Sequence, residues 1–287
     1  MSQRCTIVIV SFNCREALRA CLTSVRELRV ILVDNASGDG TTEMVRAEFP
    51  EVRLIENREN RGFAAACNQG IAASDQPFVL LLNPDTLVEV PSLQRLLHEM
   101  EAHPDIGTCG PRILNPDGSL QLSCRAFPTV GALACDELGL STLFPNSPWF
   151  TGYARSACPL DATRDVDQVM GSCMMLRRAA LDDVGLFDER FFVYFEEVDL
   201  CLRLKQSGWR VLFVHEATLV HVGGQSSKTD RRASLRHRYR SLFTFFRKYT
   251  PGWPLVLLKL VVQLGSWLRW LAGQREYGTI AKEVWRL

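Results

Sequence analysis

The stretch FFVYFEEVDLCLR, Phe191 to Arg203, sets three carboxylates, Glu196, Glu197 and Asp199, directly behind a run of aromatic side chains. Acids in the first turn of a helix complement the positive end of its dipole. Two adjacent glutamates behind apolar rings offer a second chemistry, a general base held at the edge of a pocket. Other polar clusters follow short apolar runs. Ser11, Phe12 and Asn13 follow TIVIV, and Asp34 and Asn35 follow VILV and lead into ASGDGT. Asn60, Arg61 and Gly62 open a small-residue segment, Asn83-Pro84-Asp85 follows FVLLL, and His221 opens HVGGQS. Asx residues and glycines make most turns, yet such small residues also let backbone approach a ligand.

The elements that must position these residues are readable from hydrophobic periodicity. Thr6 to Val10 and Val30 to Val33 are continuous β-branched runs, the pattern of strands buried on both faces. Val52 to Ile55 and Phe78 to Leu82 read as further strands. Helical spacing covers Arg15 to Val25, Thr41 to Glu48 and Phe63 to Ala73. This alternation predicts an α/β fold with a mostly parallel central sheet flanked by helices. Ligands of such sheets bind at the carboxyl ends of the strands, where the polar clusters fall. Phe127 to Pro159 reads as a long loop or helical insertion, Val166 to Arg178 as a strand, and Val211 to Val214 and Thr218 to Val222 as two late strands. The simplest partition is a catalytic domain over 1–227 and a basic, amphipathic helical tail over 228–287.

A net charge of +1 with 23% charged residues argues against a nucleic-acid-coating surface. Ten cysteines without a C-x-x-C pair point to buried thiols in a reducing compartment rather than disulfides or a zinc site. The N-terminus carries no signal-peptide pattern, so a cytoplasmic location is expected. The C-terminus stands apart. Lys228 to Tyr249 holds eight Lys or Arg and one acid, Asp230, and is followed by an apolar stretch, Pro254 to Gly273. There Lys259, Gln263, Ser266 and Arg269 fall in one narrow polar sector. This combination suggests attachment to the inner surface of an anionic membrane; packing on the protein's own core or in a homodimer interface is the alternative. A spanning helix would bury Lys259 in hydrocarbon.

G-x-G-x-x-G and G-x-x-x-x-G-K-[ST] are both absent, which disfavours a nicotinamide dehydrogenase or a P-loop enzyme. Taken in order, TIVIVSFN, VDNASGDGT, ENRGFAAACNQGI, LLLNPDT, GLFDERFFVYFEEVDLCLR and HVGGQS resemble the family-2 inverting glycosyltransferases of the GT-A fold. Within that family the chain is most similar to bacterial rhamnosyltransferases that use dTDP-rhamnose. The resemblance spans about residues 5 to 250. It implies that Ser11, Asn13 and Asp34 hold the nucleoside, with Asp34 facing the base, and that Asn60, Arg61 and Gly62 line the nucleotide side of the donor cleft. Asn83-Pro84-Asp85 takes the place of the family's D-x-D motif. Asp85 is then the charged metal ligand, Asn83 a neutral contact, and His221 completes the metal or diphosphate site. The implied cofactor is Mg²⁺ or Mn²⁺, which would stabilise the charge that builds on a departing nucleoside diphosphate.

By the same resemblance Glu197 stands where the family carries its catalytic Asp, with Glu196 as the alternative base. Asp199 reads as a helix cap or a partner for Arg203 at i+4, and the aromatics before it as a wall on the acceptor side. The implied acceptor is a glycan, and the basic, apolar tail suggests a polyprenyl-diphosphate-linked one used in cell-envelope or surface polysaccharide synthesis. Residues 127–159 are expected to shape acceptor choice. Two rival classes are a non-catalytic nucleotide-sugar or glycan-binding module and a sugar-phosphate nucleotidyltransferase. The latter usually needs a glycine-rich loop after the first strand, where SFNCREAL stands instead.

Overall fold

The computed structural model describes residues 4–156, 159–223 and 230–287. The latter part of HVGGQS, 224–226, and Lys228 therefore lie outside the described residues. The first half alternates β1 (Cys5–Ser11), α1 (Arg15–Ser24), β2 (Val30–Asp34), α2 (Thr41–Glu48), β3 (Arg53–Glu56), α3 (Phe63–Ala72) and β4 (Phe78–Leu82). β1, β2 and β4 are buried at every residue, which is why they read as unbroken apolar runs. Next come β5 (Thr86–Leu87), α4 (Val90–Ala102), β6 (Ile106–Leu114), β7 (Leu120–Gln121) and β8 (Cys124–Arg125). The insertion carries α5 (Val130–Glu137) and α6 (Leu140–Leu143). β9 (Arg164–Asp165), β10 (Gln168–Val169), β11 (Cys173–Arg177), α7 (Arg178–Val184), α8 (Glu196–Gln206) and β12 (Arg210–His221) complete the sheet region.

The main sheet runs β3-β2-β1-β4-β11-β6-β12-β5. β3, β2, β1 and β4 pair in parallel, as do β6 and β12, while β11 lies antiparallel between β4 and β6. The carboxyl ends of β3, β2, β1, β4, β6 and β12 therefore share one edge with the amino end of β11. Successive side chains of a strand face opposite sides. Ile7, Ile9 and Leu32 accordingly join a core under α1, α2 and α4, whereas Val8, Val10 and Val33 join another under α3, α7 and α8.

Two strand expectations are corrected. The two expected strands, Val211–Val214 and Thr218–Val222, are one, β12, which ends at His221 and is interrupted by an irregularity between Val214 and Thr218. It falls beside Pro111 of β6, which has no N–H to give the ladder. Val166 to Arg178 is not one strand: β10 pairs with β8, and the chain breaks at Met170–Ser172 before β11 enters the main sheet. That break sends Gly171 and Ser172 to the polar edge.

The C-terminal helices are α9 (Arg231–Tyr249), α10 (Trp253–Leu271) and α11 (Tyr277–Glu283). Asp230, the one acid of the basic segment, caps α9 by accepting from the Ala233 amide at 2.9 Å. Phe243, Leu258, Val262 and Ile280 form a third core with Leu133 of α5 and with Phe191, Phe195 and Val198. The tail thus packs on the segment that carries the glutamates. The polar sector of α10 faces inward, onto protein. Lys259 and Ser266 are buried, Arg269 pairs with Glu137, and Gln263 donates to the Ala281 carbonyl at 3.2 Å.

Candidate active site

At the ends of β1 and β2, buried Asp34 accepts from Ser11 Oγ at 2.8 Å, Ser37 Oγ at 2.6 Å and the Ser37 amide at 2.8 Å. Asn13, in the left-handed region at φ 50°, accepts from the Gly38 amide at 2.8 Å. These bonds fold ASGDGT over the strand ends. Asn35 donates to the Gly62 carbonyl at 3.1 Å and accepts from Asn57 at 2.9 Å, which ties in the third loop. Asn60 accepts from the Gly62 amide at 2.9 Å, and Arg61 is exposed. Gly62 sits at φ 86°, and a Cβ there would meet the Phe192 carbonyl at 2.5 Å. Only glycine allows that approach, and it brings the Phe63 amide to 2.6 Å from the same carbonyl. The nucleotide-side loop is thereby fastened to the aromatic run before the glutamates.

Asn83, Asp85 and His221 converge although 138 residues separate the first from the last. Antiparallel pairing of β12 with β5 sets His221 opposite Thr86. His221 Nε2 lies 3.2 Å from Asp85 Oδ1 and 3.5 Å from Asn83 Nδ2. Gln121 Nε2 donates at 2.7 Å to both the His221 carbonyl and Asn115 Oδ1, so its Oε1, 3.0 Å from His221 Nδ1, must accept. Nδ1 then carries the proton and Nε2 is bare in the neutral ring. A bare nitrogen facing a carboxylate oxygen needs a proton or a cation between them. An outer partner that fixes the tautomer in this way is the usual support of a metal-binding histidine. The residues fit a divalent ion, but sparsely: among the described residues no cluster of three or more His, Cys, Asp or Glu could hold one.

From Asn83 and His221 a cavity of ≈ 310 Å³ runs past Ser123, Arg125, Gly171 and Ser172 to Tyr194, Glu196 and Glu197. Five buried polar atoms of its lining lack a hydrogen-bond partner among the described residues: Ser123 Oγ, Ser172 Oγ, Arg125 Nε, Glu196 Oε2 and Glu197 Oε2. Buried polar groups are nearly always paired, so five orphans around one cavity mark a place for a hydrogen-bonding ligand. Burial, reinforced by the charge of Glu197, pushes the Glu196 carboxyl well above the usual range. Burial also raises that of Glu197, and Arg125 opposes the rise.

Tyr194 and Phe195 both hold left-handed φ, 70° and 68°. Such backbone costs about 1–3 kcal/mol per bulky residue and persists only where surroundings impose it. Here Phe191 and Phe195 are buried in the third core, Ser241 of α9 donates to the Val193 carbonyl at 2.8 Å, and Phe192 stacks on His237. Of the aromatics expected to form a wall, Tyr194 lines the cavity with Val193, while Phe191 and Phe195 anchor the turn instead. Asp199 is fully buried and receives Arg203 Nε at 2.8 Å, Lys248 Nζ at 2.6 Å and the Tyr249 hydroxyl at 2.8 Å.

Residues 6–185 match the Glycosyl transferase family 2 profile, and 149–280 match Glycosyl transferase family group 2. The N-acetylglucosaminyl-diphospho-decaprenol L-rhamnosyltransferase of Mycobacterium tuberculosis is 33% identical over 243 residues, 81% of this chain and 78% of its own length. The chain is a family 2 glycosyltransferase. A low-salt glycan biosynthesis hexosyltransferase of Haloferax volcanii is 25% identical over 70% of this chain and 61% of its own. Among solved structures, the mannosyltransferase of Pyrobaculum calidifontis in complex with GDP-Man and Mn²⁺ aligns with a TM-score of 0.57. That alignment covers 91% of this chain and 71% of the other at 18% identity, so it speaks to the GT-A fold alone.

In this glycosyltransferase the sequence singled out Glu196, Glu197, Asn83, Asp85 and His221, and the fold brings all five to one cavity or its end. Ser11, Asn13, Asp34, Asn60, Arg61 and Gly62 gather on the neighbouring strand-end loops. Sequence reasoning missed Gln121, Ser123, Arg125 and Ser172. Gln121 and Arg125 lie on two-residue strands too short to leave a periodic signal, and Ser172 sits in the break before β11.

Proposed function

We propose that this glycosyltransferase moves L-rhamnose from dTDP-rhamnose, with inversion, to a hydroxyl of a polyprenyl-diphosphate-linked glycan. The carrying observation is Glu197 Oε2, without a hydrogen-bond partner among the described residues, in a cavity that ends at Asn83 and His221. The name of the mycobacterial relative supports the sugar and the lipid-linked acceptor. Glu197 is the general base: it lies against Gly171 at the cavity wall, whereas Glu196 is only 5% exposed. Burial raises both carboxyls, but the charge of Glu197 adds to the rise at Glu196 whereas Arg125 opposes the rise at Glu197, which makes Glu197 the better placed of the two to act as base. The acceptor hydroxyl attacks the anomeric carbon opposite the diphosphate. Its proton passes to Glu197, and the bond from carbon to phosphate oxygen breaks with its electron pair leaving on the nucleoside diphosphate.

Asp34, Ser11 and Asn13 would hold the nucleoside, with the Asn60-Arg61-Gly62 loop beside the diphosphate. Asp85 and His221, with Asn83 as a neutral contact, would hold Mg²⁺ or Mn²⁺, whose bound charge stabilises the departing diphosphate. With one carboxylate in the set, most of its ligands would come from donor oxygens. The test is a panel of sugar nucleotides with a lipid-linked acceptor, scored for nucleoside diphosphate release. Release of dTDP that stops with chelator and returns with metal is expected. Release of inorganic diphosphate, or no turnover with any donor, contradicts the proposal.

A further inference from the structure

Helix α10 is apolar on its outward face and mixed on its inward one. Inward, Leu258 and Val262 join the third core beside a polar sector in which buried Lys259 stands 5.0 Å from the Phe243 ring and 5.8 Å from the Trp285 ring, and Arg269 reaches Glu137 of α5. Gly265 permits this docking, since a Cβ there would lie 2.3 Å from the Glu137 carbonyl oxygen. The outward face is a ridge of Val256, Leu257, Leu260, Leu264, Leu268 and Leu271, each 41–73% exposed. Trp253, 75% exposed, stands at its start and Trp270, 43% exposed, near its end. Exposed apolar ridges of this extent mark contact surfaces.

Charge identifies the occupant. Residues 230–287 carry twelve Lys or Arg against three acids; of the twelve, Arg231, Arg236, Lys248 and Arg269 pair with carboxylates and Lys259 is buried, so the segment keeps a positive balance. Exposed Arg275 and Lys282 share a cavity of ≈ 210 Å³ with Trp270 at the end of the ridge. We propose that α10 lies in the plane of an anionic bilayer, its leucine ridge among the acyl chains and Arg275 and Lys282 on lipid phosphates. Apolar burial beside cations with tryptophan at the margin is the chemistry of interfacial helices. Spanning would tear Lys259 and Arg269 from their partners and set them in hydrocarbon. Pairing of two copies ridge to ridge would bring two cationic margins together. The inference deepens the proposed lipid-linked acceptor, which would then reach the cavity from the surface on which the enzyme rests.

Flotation of the full chain with vesicles tests this without donor or acceptor, so a failed transferase reading would leave the result intact. Wild type should float with phosphatidylcholine vesicles containing phosphatidylglycerol, and at least about tenfold less with phosphatidylcholine alone. Leu260→Gln with Leu264→Gln, and separately Arg275→Ala with Lys282→Ala, should each lower binding at least about tenfold at unchanged mass and melting temperature. The inference is overturned if wild type stays unbound on anionic vesicles, or if both pairs of substitutions leave binding unchanged. It is equally overturned if wild type is a dimer that the leucine substitutions convert to monomer.

Discussion

Replacing Asp199 by alanine removes a carboxylate with no exposure and three donors, Arg203, Lys248 and Tyr249. Deleting one partner of a buried ion pair costs about 3–5 kcal/mol, because the opposite charge is left without compensation. Two features place this case at the lower end. Lys248 keeps Asp188 at 2.8 Å, and Arg203 keeps the carbonyls of Val184 at 2.6 Å and Leu186 at 2.8 Å. Their side chains are also 22% and 18% exposed, so some water reaches them. The expected loss is about 3 kcal/mol for Asp199→Ala and about 1.5 kcal/mol for Asp199→Asn, which keeps an acceptor but not the charge. Urea unfolding at pH 7 measures both, and hydrogen exchange should show α9 opening first, because Lys248 and Tyr249 belong to it. Per folded molecule, the Asn variant should retain turnover. A loss below about 1 kcal/mol for the Ala variant would refute the structural role. A folded but inactive Asn variant would return Asp199 to the chemistry.

Two other substitutions probe the carboxyl pair and the histidine. Folding raises the Glu196 carboxyl above its unfolded value, so its favourable contribution is complete below that value and is lost as pH rises toward the folded one. Glu196→Gln removes this dependence. Its stability relative to wild type should grow between pH 5 and pH 8 by up to about 1.4 kcal/mol per unit, and a gap independent of pH would contradict the burial argument. Gln121→Leu removes the acceptor that fixes the His221 tautomer, so Mn²⁺ affinity, read by spin resonance with nucleoside diphosphate present, should fall about 10–100-fold. Unchanged affinity would mean that His221 is not a ligand.

The first half of the fold was legible because its strands are buried on both faces and its helices are short and regular. Thr41–Glu48 and Phe78–Leu82 have the boundaries that their patterns predict. The second half was not, because its features depend on partners far along the chain. β12 reads as two strands until Pro111 of β6 is seen beside its irregularity. The polar sector of α10 is plain in the sequence, but its direction is set by Glu137 and Trp285 from other segments. The acids of α8 were visible by type and spacing alone. The turn that aims them was not, since φ at Tyr194 and Phe195 is imposed by α9 and the third core rather than by local preference. Gln121 carried no signal because its meaning lies in a contact 100 residues away.

Glu197→Gln keeps the size of the side chain and removes its capacity to accept a proton. Single-turnover transfer, measured alongside donor affinity by calorimetry, separates chemistry from binding. Turnover should fall about 10²–10⁴-fold with donor affinity unchanged, and Glu196→Gln should fall less. A Glu197→Gln enzyme that transfers sugar at the wild-type rate would contradict the assignment of the base and the reading of the cavity built on it.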